Sequence, residues 1–479
     1  MKRGDIGNLP ANHTDNAVGH SLTRGGVLKL TGIGVVIFIL LSAVVYISFT
    51  LLPQSSGAGV ILTTPQPTSI PDSVAIIHTF PITTEGIHIF NDQLAVWQMT
   101  EAQYQFAATH YTGTQKIFAS NARRLRAHNP DFILLNYRLG LGLGYQETTG
   151  NCNPTGNWHE VIEGEKWVRE YPQAPQESWF FEWGDQRVFH CQWGWYLMDL
   201  EDTSWREYWG NEVLRQLQAN QADGVFVDGL IVPNYYGGDQ FDPPLPEIDE
   251  TFEHTWSANI EDFISFMQTG ELADYYFIVN VGNWVTGRDI TDYSAADGVL
   301  VEGFARWDEG GYFDPQDGDW QLQMDRILGL VNLDKILLLQ QYVDNADVED
   351  RMFLLGSYLL VKGRYTYLNM ELSPEPEWFP EYEIPIGSPI GSIPSTISAL
   401  WRSDWKLYAR NYSNGLTLVN PTNEKQIVDL GATYYQATPH GGGIVPPDGD
   451  ISKWTMEYTP VTNLILEPNQ AAVLLIETP

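Results

Sequence analysis

The chain has 479 residues, 60 acidic and 26 basic side chains and a formal net charge of −34, with 43% hydrophobic residues. That length suffices for one large domain and a smaller one, and the apolar fraction is too high for a disordered chain. The charge excludes nucleic acid and anionic lipid surfaces as partners, since both need Lys and Arg to displace counterions, and it disfavours anionic glycans.

In chain order, the first legible element is Gly32–Leu52 (GIGVVIFILLSAVVYISFTLL), which carries no charge. A helix of roughly 20 apolar residues spans a hydrocarbon core of about 30 Å. A cleaved signal peptide is the alternative, but the run is long and no small-x-small site follows it. Lys2, Arg3, Arg24 and Lys29 precede the run and the next basic residue is Lys116. The expectation is therefore a single-pass anchor (32–52) in the lipid bilayer, with residues 1–31 cytoplasmic and the rest of the chain outside. Pro53–Asp72, rich in Pro, Ser, Thr and Gly, reads as a spacer, extending over 53–74.

From residue 75 to 395 short apolar runs alternate with helical or loop stretches. Strands are expected at Ile87–Asn91, Phe106–Tyr111, Phe132–Arg138, Gly224–Leu230, Tyr275–Gly282, Val299–Phe304, Ile336–Tyr342 and Tyr365–Asn369. Most are continuous apolar runs, the pattern of parallel strands buried on both faces. Helical spacing marks Ile117–His128, Trp205–Leu217 (with Asp202–Thr203 as N-cap), Trp320–Val331 and Val348–Val361. Strand and helix alternating eight times predict an α/β (β/α)₈ TIM barrel.

The connection from Leu139 to about Glu201 is far longer than a simple loop and would lie on the active face. Its Trp158, Trp179, Trp183, Trp193 and Trp195 could wall a glycan groove or pack on one another. It also holds both cysteines, Cys152 and Cys191. An oxidising compartment favours a disulfide between them; two buried thiols are the alternative. No metal site is expected, for there is neither CxxC nor HExxH, and Asp314, Asp317 and Asp319 lack the full ligand set of a calcium loop. After a Pro-rich stretch (Glu371–Ser395), residues 396–479 read as short strands with a hairpin signal at Asn414–Gly415, hence a small antiparallel β-domain.

Barrel enzymes take their reacting groups from the C-terminal ends of strands. Those positions hold Asn136, Tyr137 and Arg138 on the third strand, Asp228 on the fourth, Asn280 with Asn283 and Trp284 just beyond on the fifth, Glu302 on the sixth, Gln340 and Gln341 on the seventh, and Asn369 on the eighth. Asp228 (VFVDG) and Glu302 (VLVEG) each close an apolar run and precede a glycine. A carboxylate there is costly unless it is paired, solvated or used, and two across one barrel mouth suit glycoside hydrolysis. Otherwise Asp228 would cap the next segment and Glu302 would pair with Arg306. The Asn and Gln residues suit hydroxyl recognition, as do Trp193 and Trp195 from the long connection; Asp199 either serves the site or caps the helix after it.

The segments LRAHNPDFILLNY, LMDLEDTSWREYW leading to ADGVFVDGL, DGVLVEGF and YARNYSNGLTLVNPT occur in that order. In this the sequence resembles the hypothetical glycoside hydrolase-like family 15, barrels related to the α-galactosidase superfamily. The resemblance implies a retaining α-glycosidase acting on an oligo- or polysaccharide without cofactor, with Asp228 as nucleophile and Glu302 as acid/base. The sixth strand departs from the α-galactosidases in carrying Glu rather than Asp. A glycan-binding surface protein on a degenerate barrel, or a transglycosidase, would share most of these features.

Overall fold

In the computed structural model residues 77–144, 152, 158–163, 167–170, 175–307, 311–371 and 373–479 are described. The apolar segment 32–52 lies outside them; among the described residues no helix is long and apolar enough to cross a membrane. Strands β1 (Ile89–Gln93), β2 (Tyr111–Gln115) and β3 (Ile133–Leu139) lead into the long connection, which carries β4 (Gly142–Gly144), β5 (His159–Glu163), β6 (Trp167–Glu170), β7 (Phe189–His190) and β8 (Trp195–Leu197). There follow β9 (Gly224–Asp228), β10 (Phe241–Asp242), β11 (Tyr276–Asn280), β12 (Gly298–Glu302), β13 (Ile336–Tyr342) and β14 (Thr366–Glu371). Eight of them close a barrel in the order β1-β14-β13-β12-β11-β9-β3-β2, every pair parallel.

The continuous apolar runs divide by alternation. Phe90, Ile133, Leu135, Phe226, Ile278, Leu300, Leu338 and Tyr367 fill the barrel interior. Their neighbours Leu134, Val225, Val227, Phe277, Val279, Val299, Val301, Leu337, Leu339 and Leu368 pack under the helices. Phe80 closes the N-terminal end of the interior, its ring 4.9 Å from Tyr276 and 5.5 Å from Tyr367. Carried two residues further, the same alternation turns Tyr137, Asp228, Asn280, Glu302, Gln340 and Asn369 toward the C-terminal mouth, and two more bring Glu371 there.

The second unit departs from the sequence reading. Phe106–Tyr111 is not a strand: α1 (Glu101–His110) runs through it. Thr100 and Gln103 form a capping box at its start, each satisfying the other's backbone N–H. The strand is the polar stretch YTGTQ that follows, in which Gly113 meets Ile133 and Phe90 with no room for a side chain. The expected helices appear as α2 (Ala119–His128), α3 (Thr203–Asn220), α5 (Asp319–Val331) and α6 (Val348–Val361), with Asp202 capping α3. A further helix, α4 (Glu250–Thr269), buries Phe252, Trp256, Ile260, Phe263, Ile264 and Met267.

The long connection, joined by β10 from the loop after β9, forms a sheet of order β10-β7-β8-β4-β5-β6, and a disulfide joins Cys152 to Cys191. After β15 (Glu377–Trp378), the C-terminal part comprises β16 (Trp401–Arg402), β17 (Leu407–Tyr412), β18 (Gly415–Asn420), β19 (Gln426–His440), β20 (Gly443–Ile444), β21 (Thr455–Leu466) and β22 (Gln470–Leu475). Six of these form an antiparallel sheet, β16-β17-β18-β22-β19-β21. It is fastened to the barrel by Arg410, whose Nη1 donates to the carbonyls of Leu359, Leu360 and Lys362, satisfying acceptors that the end of α6 leaves open.

Candidate active site

Asp228 and Glu302 end β9 and β12, with β11 between them, and each is followed by a glycine at positive φ (Gly229 +65°, Gly303 +76°) that turns the chain out of the strand. Asn280, at the end of β11, stands between the acids. Its Nδ2 donates at 2.8 Å to Asp228 Oδ1 and at 2.8 Å to Glu302 Oε2. Its Oδ1 accepts the Gly282 N–H at 3.0 Å, which fixes the orientation of the amide. Two oxygens bonded to one nitrogen lie no further apart than about 5.6 Å, twice the 2.8 Å of each bond. The Tyr137 hydroxyl donates to Asp228 Oδ2 at 2.7 Å, and that of Tyr342 to Glu302 Oε1 at 3.0 Å.

Burial, then the charge of Asp228, push the Glu302 carboxyl from its ordinary 4.5 up to about 7; the Asn280 hydrogen bond and the more distant Lys116 oppose them. Two carboxyls this close cannot both ionise cheaply, which adds to the effect of burial on Glu302. Asp228, holding the Tyr137 and Asn280 donors, is the partner suited to carry the charge.

A second polar group fills the β1, β2 and β14 side of the mouth. Lys116 Nζ lies 3.0 Å from Asp92 Oδ2, and Gln115 donates to Oδ1 of the same carboxylate. Glu371 accepts from Asn91 (3.0 Å), Gln340 (3.1 Å) and Asn369 (2.9 Å), while burial and then Asp92 hold its carboxyl well above the usual range.

Of the residues expected at the site, Asp228, Glu302, Tyr137 and Asn280 meet directly, and Gln340 and Asn369 join through Glu371. Gln341 points the other way, its Nε2 donating to the carbonyls of Phe304 and Arg306, because adjacent strand residues face opposite sides. By the same alternation Arg138, buried, lies on the face opposite Tyr137. Asn283 donates to Gly303 O at 3.3 Å, and the Trp284 carbonyl and ring are held by Arg326, so these two build the β11 loop. Glu302 is not paired with Arg306, whose partner is Asp350. Asp199 accepts the Glu201 N–H and lines a groove with Phe181, Glu201 and Trp256 whose walls include neither acid. Trp195 is buried against His190 (4.7 Å), whereas Trp193 is exposed. Asp92, Lys116, Glu371 and Tyr342 are additions. Counting two residues beyond Asn369 and Gln340 reaches Glu371 and Tyr342; Lys116 follows a strand, YTGTQ, that has no apolar run to mark it. Among the described residues no three His, Cys, Asp or Glu side chains are grouped to hold a metal ion.

An eight-stranded parallel barrel with two hydrogen-bonded carboxyls sharing its mouth defines a glycosidase of the TIM-barrel class. The profile of hypothetical glycosyl hydrolase family 15 matches residues 126–416, and the chain belongs to that family. No curated protein matches the sequence. Among solved structures, the chain is similar to the glycoside hydrolase domain of PelA from Pseudomonas aeruginosa (13% identity, 61% of this chain and 96% of that one, TM-score 0.37). It is also similar to an α-amylase from Geobacillus thermoleovorans (12%, 82% and 98%, 0.34) and to the Nostoc punctiforme debranching enzyme (11%, 82% and 98%, 0.39).

Proposed function

We propose that the chain is a retaining α-glycosidase, tethered to a membrane by residues 32–52 and facing outward across the spacer 53–74, with its barrel over 75–395 and a β-domain over 396–479. Asp228 attacks the anomeric carbon while Glu302 gives its proton to the leaving oxygen; Glu302, now ionised, then takes a proton from the water that releases the sugar. The observation that carries this reading is the Asn280 amide shared between the acids. It holds their nearest oxygens within about 5.6 Å, which suits the roughly 5–5.5 Å of retaining pairs rather than the roughly 6.5–9.5 Å that an intervening water requires. Support for the α-linkage comes from the sequence's resemblance to the α-galactosidase superfamily, and for the outward orientation from the basic residues that all precede the apolar run.

The test is proton NMR of the first-formed product from 4-nitrophenyl α-hexosides. The reading requires the α-anomer before mutarotation, and loss of turnover by more than about 10³-fold in both Asp228→Asn and Glu302→Gln. A first-formed β-anomer rejects retention. Full activity in either variant rejects the assignment of the acids.

A further inference from the structure

The turn after β9 brings a second tyrosine to the acids. Pro233–Tyr236 is a single 3-10 turn, and it returns the Tyr236 side chain over the strand end it has just left. The phenol oxygen lies 2.5 Å from where a side chain on Gly229 would begin. Residue 229 must therefore be glycine for the approach, independently of its positive φ. Burial, and then the charges of Asp228 and Glu302, hold this phenol well above its ordinary range, so it stays an O–H donor throughout the working range.

The other donors around the pair are committed: Tyr137 to Asp228, Tyr342 to Glu302 and the Asn280 amide to both. No hydrogen bond to a described residue engages the Tyr236 hydroxyl. Its ring is held from behind by the long connection, with His190 perpendicular at 5.6 Å and Trp195 at 6.3 Å. His190 is itself locked, its Nδ1 accepting the Trp193 N–H at 3.2 Å. The result is a rigid donor beside the nucleophile with no partner of its own.

We propose that Tyr236 is a substrate-binding residue whose hydroxyl hydrogen-bonds the 2-hydroxyl of the sugar seated over Asp228. The proposal rests on the glycosidase reading above. The nucleophile's oxygen must sit under the anomeric carbon, and the hydroxyl nearest that carbon is the one on C2. Bonds to that hydroxyl strengthen as the oxocarbenium character develops, so they act on turnover as well as on binding. The long connection then takes part in catalysis indirectly, through His190 and Trp195 behind the tyrosine.

The experiment is a cycle on the full chain in mild detergent, using the 4-nitrophenyl α-hexoside with the highest turnover and its 2-deoxy counterpart. Tyr236→Phe keeps the ring and its packing. It is expected to lower kcat/KM on the parent glycoside roughly 5- to 50-fold and to change it less than about 2-fold on the 2-deoxy glycoside. Equal losses on both substrates, or none on the parent, overturn the assignment. If Glu302→Gln is as active as the wild type, or if the wild type turns over none of the glycosides and binds neither 1-deoxynojirimycin nor its galacto epimer, the underlying glycosidase reading falls, and the tyrosine's role with it. An active wild type inactivated by Glu302→Gln, with unchanged Tyr236→Phe, removes the tyrosine's role alone.

Discussion

Replacing Glu302 by Gln should make the protein more stable above neutral pH while it destroys activity. The native carboxyl titrates at about 7 against an ordinary 4.5, so between those values the folded chain keeps a proton that the unfolded chain has released. A raised carboxyl contributes its stability fully below pH 4.5 and loses it as pH rises through 7. At about 1.4 kcal/mol per pH unit, the step from 4.5 to about 7 sets the loss at no more than about 3.5 kcal/mol. Glutamine reproduces the neutral acid in shape and does not titrate, so it escapes the loss. Groups out of reach of Glu302 titrate alike in both proteins and cancel in the comparison. Thermal melts of the two proteins across pH 5 to 8 should start close together and diverge, with the variant several degrees higher at pH 8. Parallel curves would mean that Glu302 releases its proton in the folded state as easily as in the unfolded one. The electrostatic account of the acid would then be wrong, whatever the kinetics showed.

Two further predictions follow from named contacts. Because the Asn280 bond lowers the Glu302 pKa, Asn280→Ala should move the basic limb of the kcat/KM profile above 7 while reducing the rate roughly 10- to 100-fold; a limb that stays or moves down contradicts the shared-donor geometry. Arg351, fully buried, meets Glu381 through Nε at 2.7 Å and the Gly441 carbonyl at 3.0 Å, so Arg351→Met should cost about 3–5 kcal/mol in urea unfolding by leaving a buried carboxylate alone, and a cost under about 1 kcal/mol would show the pair to be inert.

What the sequence disclosed and what it hid have physical reasons. The strands that carry the acids are legible because each is enclosed on both sides, which forces an unbroken apolar run, and because the chain must turn sharply after the acid, which forces the glycine. β2 has neither mark. Its interior position is Gly113, pressed on Ile133, and its remaining residues are polar, so the apolar run beside it in α1 drew the assignment instead. With β2 misplaced, Lys116 at its end was invisible as a mouth residue. The spacing of Phe252, Trp256, Ile260, Phe263, Ile264 and Met267 does carry α4, although no apolar stripe that short specifies where the helix docks. Tyr236 could not be read at all. It reaches the acids by a 3-10 turn, and no strand or helix period connects it to Asp228.

The interior alternation that makes the barrel stable also decides which polar residues share the mouth. Asp228, Asn280 and Glu302 lie on three neighbouring strands, two residues beyond Phe226, Ile278 and Leu300, so the apolar layer that fills the barrel sets the register of the layer that faces substrate. A one-residue slip of β11 would send Asn280 under the helices and leave the acids without their common donor. That donor limits the gap between the carboxyls and draws the Glu302 pKa down, against the burial and the Asp228 charge that raise it. A glutamate on β12 fits this arrangement because its reach ends at the same amide as that of Asp228. The identity of the sixth-strand acid therefore cannot be judged apart from Asn280, the residue that measures the distance between the two.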